Sequence, residues 1–279
     1  IFFKINLIKK FSYLSLIIFF IFSLFIFGNY KINQNKLVLE EVSEKIFVKI
    51  ISPNFDLKYG LDVKQIEERF KKLVKYSNPD KKRKTFFIWP EGVFSGYSYQ
   101  EILIFKEFIS ANFSKNHYII FGINKLDQKS GKFYNGMLVV NNNLEVLQSY
   151  HKRKLVPFGE FLPLEKILEN YGLKKITEGY GSFLKGKKKN NLLIDNLNIL
   201  PLICYEVIFT DLVQKSNTKT NLIINISEDG WFGKSIGPDQ HFIKSVFRAI
   251  ESDTFFLRSA NKGISAIIDN KGNIIKQLN

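Results

Sequence analysis

The chain has 279 residues, 45% of them hydrophobic and 15% aromatic, which excludes a disordered polypeptide and supplies a substantial core. One cysteine and three histidines without ligand spacing exclude a disulfide framework and a multi-cysteine zinc site, so neither a structural metal nor a cofactor is expected. Lys and Arg exceed Asp and Glu by 41 to 26, giving +15, but the basic runs Lys81-Lys82-Arg83-Lys84 and Lys185-Gly186-Lys187-Lys188-Lys189 sit in no nucleic-acid-binding motif; anionic lipid is the better partner.

Phe11 to Gly28 is uncharged and overwhelmingly apolar. As a helix it reaches about 27 Å, close to the roughly 30 Å hydrocarbon core of a bilayer. It is long for the apolar region of a signal peptide and no small-residue cleavage site follows, so a transmembrane span is expected over residues 1–28 with its short flank. Lys4, Lys9 and Lys10 crowd the N-terminal side while Lys31 and Lys36 are sparser beyond it, which places the N-terminal flank in the cytoplasm and the rest across the membrane. The chain begins at Ile1, as a piece of a longer protein would.

Residues 29–44 are polar and read as a juxtamembrane connector, and 45–279 as one domain. Ile46–Ile51 is a β-type run, and Val63–Tyr76 has helical spacing of Ile66, Phe70, Leu73 and Val74. Thr85–Trp89 reads as a strand and Tyr99–Phe113 as a helix; Tyr118–Ile123, Gly136–Asn141 and Leu144–Tyr150 read as strands. Tyr171–Asn190, rich in Gly and Lys, reads as a loop or lid. Asn198–Ile203 is a strand, a helix starts at Val207–Leu212, Asn221–Ile226 is a strand and Gln240–Ile250 an amphipathic helix. Phe255–Arg258, Ser265–Asp269 and Asn273–Lys276 close the chain as strands, the last two joined at Asn270-Lys271-Gly272. Interleaved helices and strands with several adjacent strands predict a layered α/β domain of mixed strand direction.

Three apolar strands end in a reactive residue. Trp89-Pro90-Glu91 puts a carboxylate at a loop mouth, because Pro90 cannot continue a ladder. Tyr150-His151-Lys152 is followed by the Pro157-Phe158-Gly159 turn, and Ile203-Cys204-Tyr205-Glu206 supplies the one thiol. A free cysteine is most often a small buried hydrophobe, and a lone charge is most often surface chemistry. The three types are nonetheless complementary. A thiol with a pKa of about 8.5 is mostly protonated at neutral pH, so acyl transfer needs a base, here Glu91, and a fixed cation at the oxyanion, here Lys152. Glu160, eight residues further along, could hold the lysine or relay protons.

The Glu, Lys and Cys segments, in this order, resemble the carbon-nitrogen hydrolase or nitrilase superfamily. The resemblance implies a nitrilase-like αββα sandwich, here after the one transmembrane helix, and a catalytic triad Glu91, Lys152, Cys204. The longer strings from Tyr150 to Glu165, Ile203-Cys204-Tyr205-Glu206, Asn225-Ile226-Ser227-x-Asp229-x-Trp231-Phe232-Gly233-x-Ser235-x-Gly237-Pro238-x-Gln240-His241 and Leu257-Arg258-Ser259-x-Asn261-x-Gly263-Ile264 are similar to the apolipoprotein N-acyltransferase family. That resemblance adds Glu160, Tyr205 and Glu206 as supporting residues, and implies a multi-pass inner-membrane enzyme with its catalytic domain on the periplasmic side. It would take a fatty acyl group from a phospholipid donor as a cysteine thioester and pass it to a diacylglyceryl-lipoprotein acceptor. Two positions depart from the family pattern: Glu228, where Asn is common, and Gly92. Phe94, Tyr97, Phe158, Phe161, Leu162, Tyr180 and Phe183 are expected to wall an apolar path opening toward the membrane. Two other readings share these residues: a membrane-tethered amidase using water as acceptor, and an inactive membrane-anchored binding protein.

Overall fold

The computed structural model describes residues 7–34, 46–165, 181–187, 191–214 and 220–278. The chain divides into two units, Ile1–Leu37 and Val38–Asn279. The first is helix α1 (Leu7–Gln34), long and apolar enough to cross a membrane, with its Phe, Leu and Ile side chains exposed from Phe11 to Phe27. It continues past Gly28, so the first residues of the polar connector are helical.

The second unit is built on two sheets. Strands β1 (Phe47–Ile50), β2 (Thr85–Ile88), β3 (His117–Leu126), β4 (Phe133–Val140) and β5 (Val146–His151) form the first in sequence order. β1, β2 and β3 are parallel and β3, β4 and β5 antiparallel. The second runs β11 (Ile274–Leu278), β10 (Ser265–Ile268), β9 (Phe255–Asn261), β8 (Leu222–Glu228), β7 (Leu197–Ile203), β6 (Leu192–Ile194), with β7, β8 and β9 parallel.

Side-chain alternation makes this a four-layer sandwich. Phe86, Ile88 and Ile120 of the first sheet pack with Ile199, Ile203, Ile224 and Ile226 of the second, all buried between the sheets. The intervening residues Phe87, Ile119 and Phe121 face outward onto Ile66, Phe70 and Leu73 of α2 (Val63–Ser77). On the far side Leu202, Ile223 and Phe256 pack with Phe242 and Ala249 of a long helix over Gly237–Ser252. The layers are therefore α, β, β, α, a nitrilase-like α/β fold. Helix α2 starts where Asp62 and Gln65 satisfy each other's backbone N–H groups, as its sequence period suggests.

Three elements differ from the sequence expectation. The helix expected over Tyr99–Phe113 is broken into α3 (Tyr99–Ile102), a 3₁₀ turn Leu103–Phe105 and α4 (Lys106–Asn112). The tighter turn leaves Leu103 and Ile104 exposed and brings the Phe105 ring 4.7 Å from that of Phe70. Strand β6 was not expected; it pairs with β7 through a tight turn in which Asp195 has a positive φ of 52°. The chain after Cys204 is a 3₁₀ turn to Ile208 before a short helix Thr210–Gln214, where a helix was expected from Val207.

Candidate active site

β2, β7 and β8 are parallel strands, and residues following their carboxyl ends converge, as ligand-binding residues do in open α/β sheets. β2 leads to Glu91, β7 to Cys204, and β8 ends at Glu228; β5 delivers Lys152 immediately after His151. All four line one cavity of about 410 Å³, in the range of small-ligand sites.

Lys152 is 1% exposed. Its Nζ donates to Glu160 Oε1 at 2.9 Å and stands 3.9 Å from Glu91 Oε1. Asn135 of β4 ties the two carboxylates together, its Nδ2 donating to Glu91 Oε1 at 2.8 Å and to Glu160 Oε1 at 2.7 Å. Glu160 Oε2 accepts the Val156 N–H at 2.9 Å, and Glu91 Oε2 that of Glu228 at 3.2 Å. Burial acts to lower the Lys152 pKa, but the charges of Glu160 and Glu91 outweigh it and hold the ammonium above the ordinary lysine range. It is a fixed cation.

Cys204 has a φ of 47°, a left-handed conformation that costs a side chain on the order of 1 kcal/mol or more. Two buried groups hold its carbonyl in this elbow. His241 Nε2 lies 3.1 Å from Cys204 O, and Asn225 Nδ2 donates to the same oxygen at 3.4 Å. Behind them, Asp229 Oδ1 is 2.9 Å from His241 Nδ1 and accepts the Ser227 hydroxyl at 2.7 Å, while Arg258 Nη2 donates to Asp229 Oδ2 at 2.7 Å. Burial raises the Cys204 thiol to about 12, reinforced by the Glu91 charge and opposed by Lys152 and Ser227. The resting thiol is neutral.

Asp229 would be raised by burial, but Arg258 and His241 overrule it and hold its carboxyl at about 2. Because that lies below the unfolded value of about 4, the network stabilises the fold above about pH 4 and loses this contribution as pH falls toward about 2. Asp229→Asn is therefore expected to lower stability by about 2 kcal/mol at neutral pH, with the gap from wild type closing between about pH 4 and about pH 2 in thermal melts.

Glu206 works outside the cavity. Its Oε1 accepts from Tyr150 Oη at 2.8 Å, Arg153 N at 2.7 Å and Lys154 N at 3.1 Å, and its Oε2 from Ile203 N at 2.9 Å. One buried carboxyl thus fastens the Lys152 segment to the Cys204 segment, and burial raises its pKa against these hydrogen bonds. Glu206→Ala leaves those buried donors without an acceptor. A loss of about 3 kcal/mol is expected, read as a Tm about 10 °C lower, with Glu206→Gln losing less.

Of the residues expected to wall an apolar path, Phe94 and Phe183 line the cavity. Tyr97, Phe158, Phe161 and Leu162 lie off it. Tyr97 packs on the α2 side with its hydroxyl on Leu61 O at 2.8 Å, and Leu162 is buried. Phe158, at a positive φ of 61°, is turned outward and exposed, while its neighbours Pro157 and Gly159 form the wall. Phe161 bridges back to Pro157 in the same turn. Tyr180 lies outside the described residues. Tyr205 lines the cavity, as do residues not singled out from sequence as walls: Leu57, Tyr59, Asn135, Val156, Trp231 and Phe232. Tyr59 and Trp231 face each other at 6.3 Å.

A cysteine, a lysine and three glutamates thus stand around one cavity of an α, β, β, α sandwich. The family model for carbon-nitrogen hydrolases matches residues 60–279, and the chain belongs to that family. Within it, the chain is 31% identical over 266 residues to the apolipoprotein N-acyltransferase of Rhodopseudomonas palustris, covering 91% of this chain and 49% of that protein. To the apolipoprotein N-acyltransferase of Rickettsia typhi it is 45% identical over 164 residues, 57% of this chain and 32% of that protein. The chain thus spans about half the length, or less, of these curated relatives. Among solved structures, Saccharomyces cerevisiae Nit3, a member of branch 10 of the nitrilase superfamily, superposes with a TM-score of 0.57 at 18% identity, covering 85% of this chain and 87% of that one. At that identity the likeness is one of fold.

Proposed function

We propose that this chain carries the catalytic domain of an N-acyltransferase acting on lipoproteins, with a phospholipid as acyl donor. The observation that carries the reading is the cavity itself: Cys204, Lys152 and Glu91 share it with the apolar side chains of Leu57, Phe94, Val156, Phe183 and Trp231. An acyl chain is at home against such side chains, since each CH₂ removed from water is worth about 0.8 kcal/mol.

In the first half-reaction Glu91 takes the Cys204 proton as sulfur attacks the ester carbonyl. The oxyanion forms beside the Lys152 ammonium and the backbone N–H that follows Cys204. Collapse breaks the ester C–O bond; the lysophospholipid leaves with the proton returned by Glu91, and the acyl group remains as a thioester. In the second, the α-amino group of a diacylglyceryl-cysteine attacks the thioester, Glu91 accepts its proton, and the thiol is regenerated with that proton. A thiol at about 12 favours transfer of the proton during attack over a standing thiolate. Helix α1 is read as a span of the inner membrane with the catalytic domain on the periplasmic side, as the lysines at its N-terminal flank suggest.

The test is mass spectrometry of the full-length protein incubated with phospholipid vesicles. An acyl adduct on Cys204, discharged by a diacylglyceryl peptide with a free amine, is expected. Hydrolysis of small amides with no adduct from phospholipid would replace this reading with that of an amidase.

A further inference from the structure

Glu228 is a buried carboxyl on the cavity wall to which the reaction above assigns no task. It is 2% exposed. Its Oε1 accepts the Gly230 N–H at 2.8 Å and its Oε2 the Asn261 Nδ2 at 2.7 Å, while its own N–H donates to Glu91 Oε2 at 3.2 Å. The space for this side chain is made by Gly92, the residue after Glu91. A Cβ on Gly92 would overlap Glu228 Oε2, and Gly92 holds a φ of 78°, which suits glycine alone. Gly92 and the Glu228 side chain are thus one contact.

We propose that Glu228 is a third acidic group of this site, beside Glu91 and Glu160, and a positioning residue for Glu91: seated in the gap left by Gly92, it holds the end of β8 against the Glu91 loop, and its charge state sets how readily Glu91 takes the Cys204 proton. The inference rests on the reading of Glu91 as the base. The charged groups facing Glu228 are Glu91 from the loop after β2, Asp229 on its own segment and Arg69 from α2, with Asn261 of β9 in direct contact. Arg69 spends its guanidinium on the carbonyls of Asp56, Gly92 and Val93, bracing the same loop.

Burial, then the charges of Glu91 and Asp229, lift Glu228 to about 8 against the hydrogen bonds from Asn261 and Gly230. Below that pH the carboxyl is neutral. Above it, a second negative charge beside Glu91 makes transfer of the thiol proton onto Glu91 more favourable, so acylation accelerates as pH rises through about 8.

The experiment measures single-turnover acyl-adduct formation on Cys204 of the full-length protein in phospholipid vesicles, between about pH 6 and about pH 9.5, with infrared difference spectra of wild type against Glu228→Gln. Wild type is expected to gain about fivefold or more in rate across a midpoint near pH 8. Glu228→Gln is expected to show no such rise. The infrared difference should show a protonated carboxyl replaced by carboxylate over the same range. Gly92→Ala should slow acylation and lower Tm, and Glu228→Asn, shorter by one methylene, should relieve part of each in the double variant by removing the overlap, the strain of the positive φ remaining. A rise retained in Glu228→Gln, or a carboxylate band already full at about pH 6, overturns the inference. A wild type that never acylates Cys204 overturns the transferase reading and the assignment of Glu228 to it, and the Gly92 variants still decide by Tm whether the Glu228 side chain fills the gap at Gly92.

Discussion

Cys204→Ser is expected to abolish acyl-adduct formation, with turnover down about 10³-fold or more, while Tm changes little. The thiol already stands at about 12, raised by burial and by the Glu91 charge, so the site has little surplus with which to ionise its nucleophile. A serine hydroxyl is harder to ionise still, and removal of the nucleophile generally costs such an enzyme most of its rate. The fold should tolerate the change, because what fixes the elbow at residue 204 is its carbonyl, held by His241 and Asn225, and not its side chain. Adduct mass spectrometry and a thermal melt on the same preparation check both halves. Turnover within about tenfold of wild type would remove Cys204 from the reaction.

Much of this site could be read from the sequence because its reactive residues sit at strand ends. A run such as Ile199–Ile203 ending in Cys204, or Phe86–Trp89 ending in Pro90 and Glu91, announces both the strand and the point where it stops. The apolar alternation likewise located most strands and α2. What did not show were partners whose role depends on packing between segments. Asn135 lies within β4 and looks like any polar strand residue, yet it joins Glu91 to Glu160. Glu206 follows Cys204 closely enough to suggest a place in the cavity, but it is turned away and serves four donors. The aromatic walls failed for a related reason. Proximity in sequence to Glu91 or Lys152 says nothing about direction within a turn, and the positive φ of Phe158 reverses it. Trp231 and Phe232 reach the cavity from the 3₁₀ turn after β8, more than twenty residues beyond Cys204.

The buried lysine offers the sharpest separation of structure from chemistry. Lys152→Met removes the cation between Glu91 and Glu160, which then share Asn135 with no counter-charge. Breaking such a buried arrangement costs about 3–5 kcal/mol, because the remaining carboxylates stay desolvated. Adduct formation should fall by about 10²–10³-fold, the usual loss when one preorganised oxyanion stabiliser is removed. Lys152→Arg should not restore it. The side chain is 1% exposed, and a planar guanidinium is larger than the ammonium it replaces and cannot occupy the same point. The informative variant is Lys152→Met with Glu160→Gln, which removes one of the two stranded carboxylates. Tm should recover by roughly half of its loss, since one uncompensated buried charge is gone. The rate should not recover at all, because neutralising Glu160 supplies nothing at the oxyanion. If rate and Tm recover together, Lys152 acts only by holding Glu91 and Glu160 in place, and the oxyanion must be stabilised by backbone N–H groups alone.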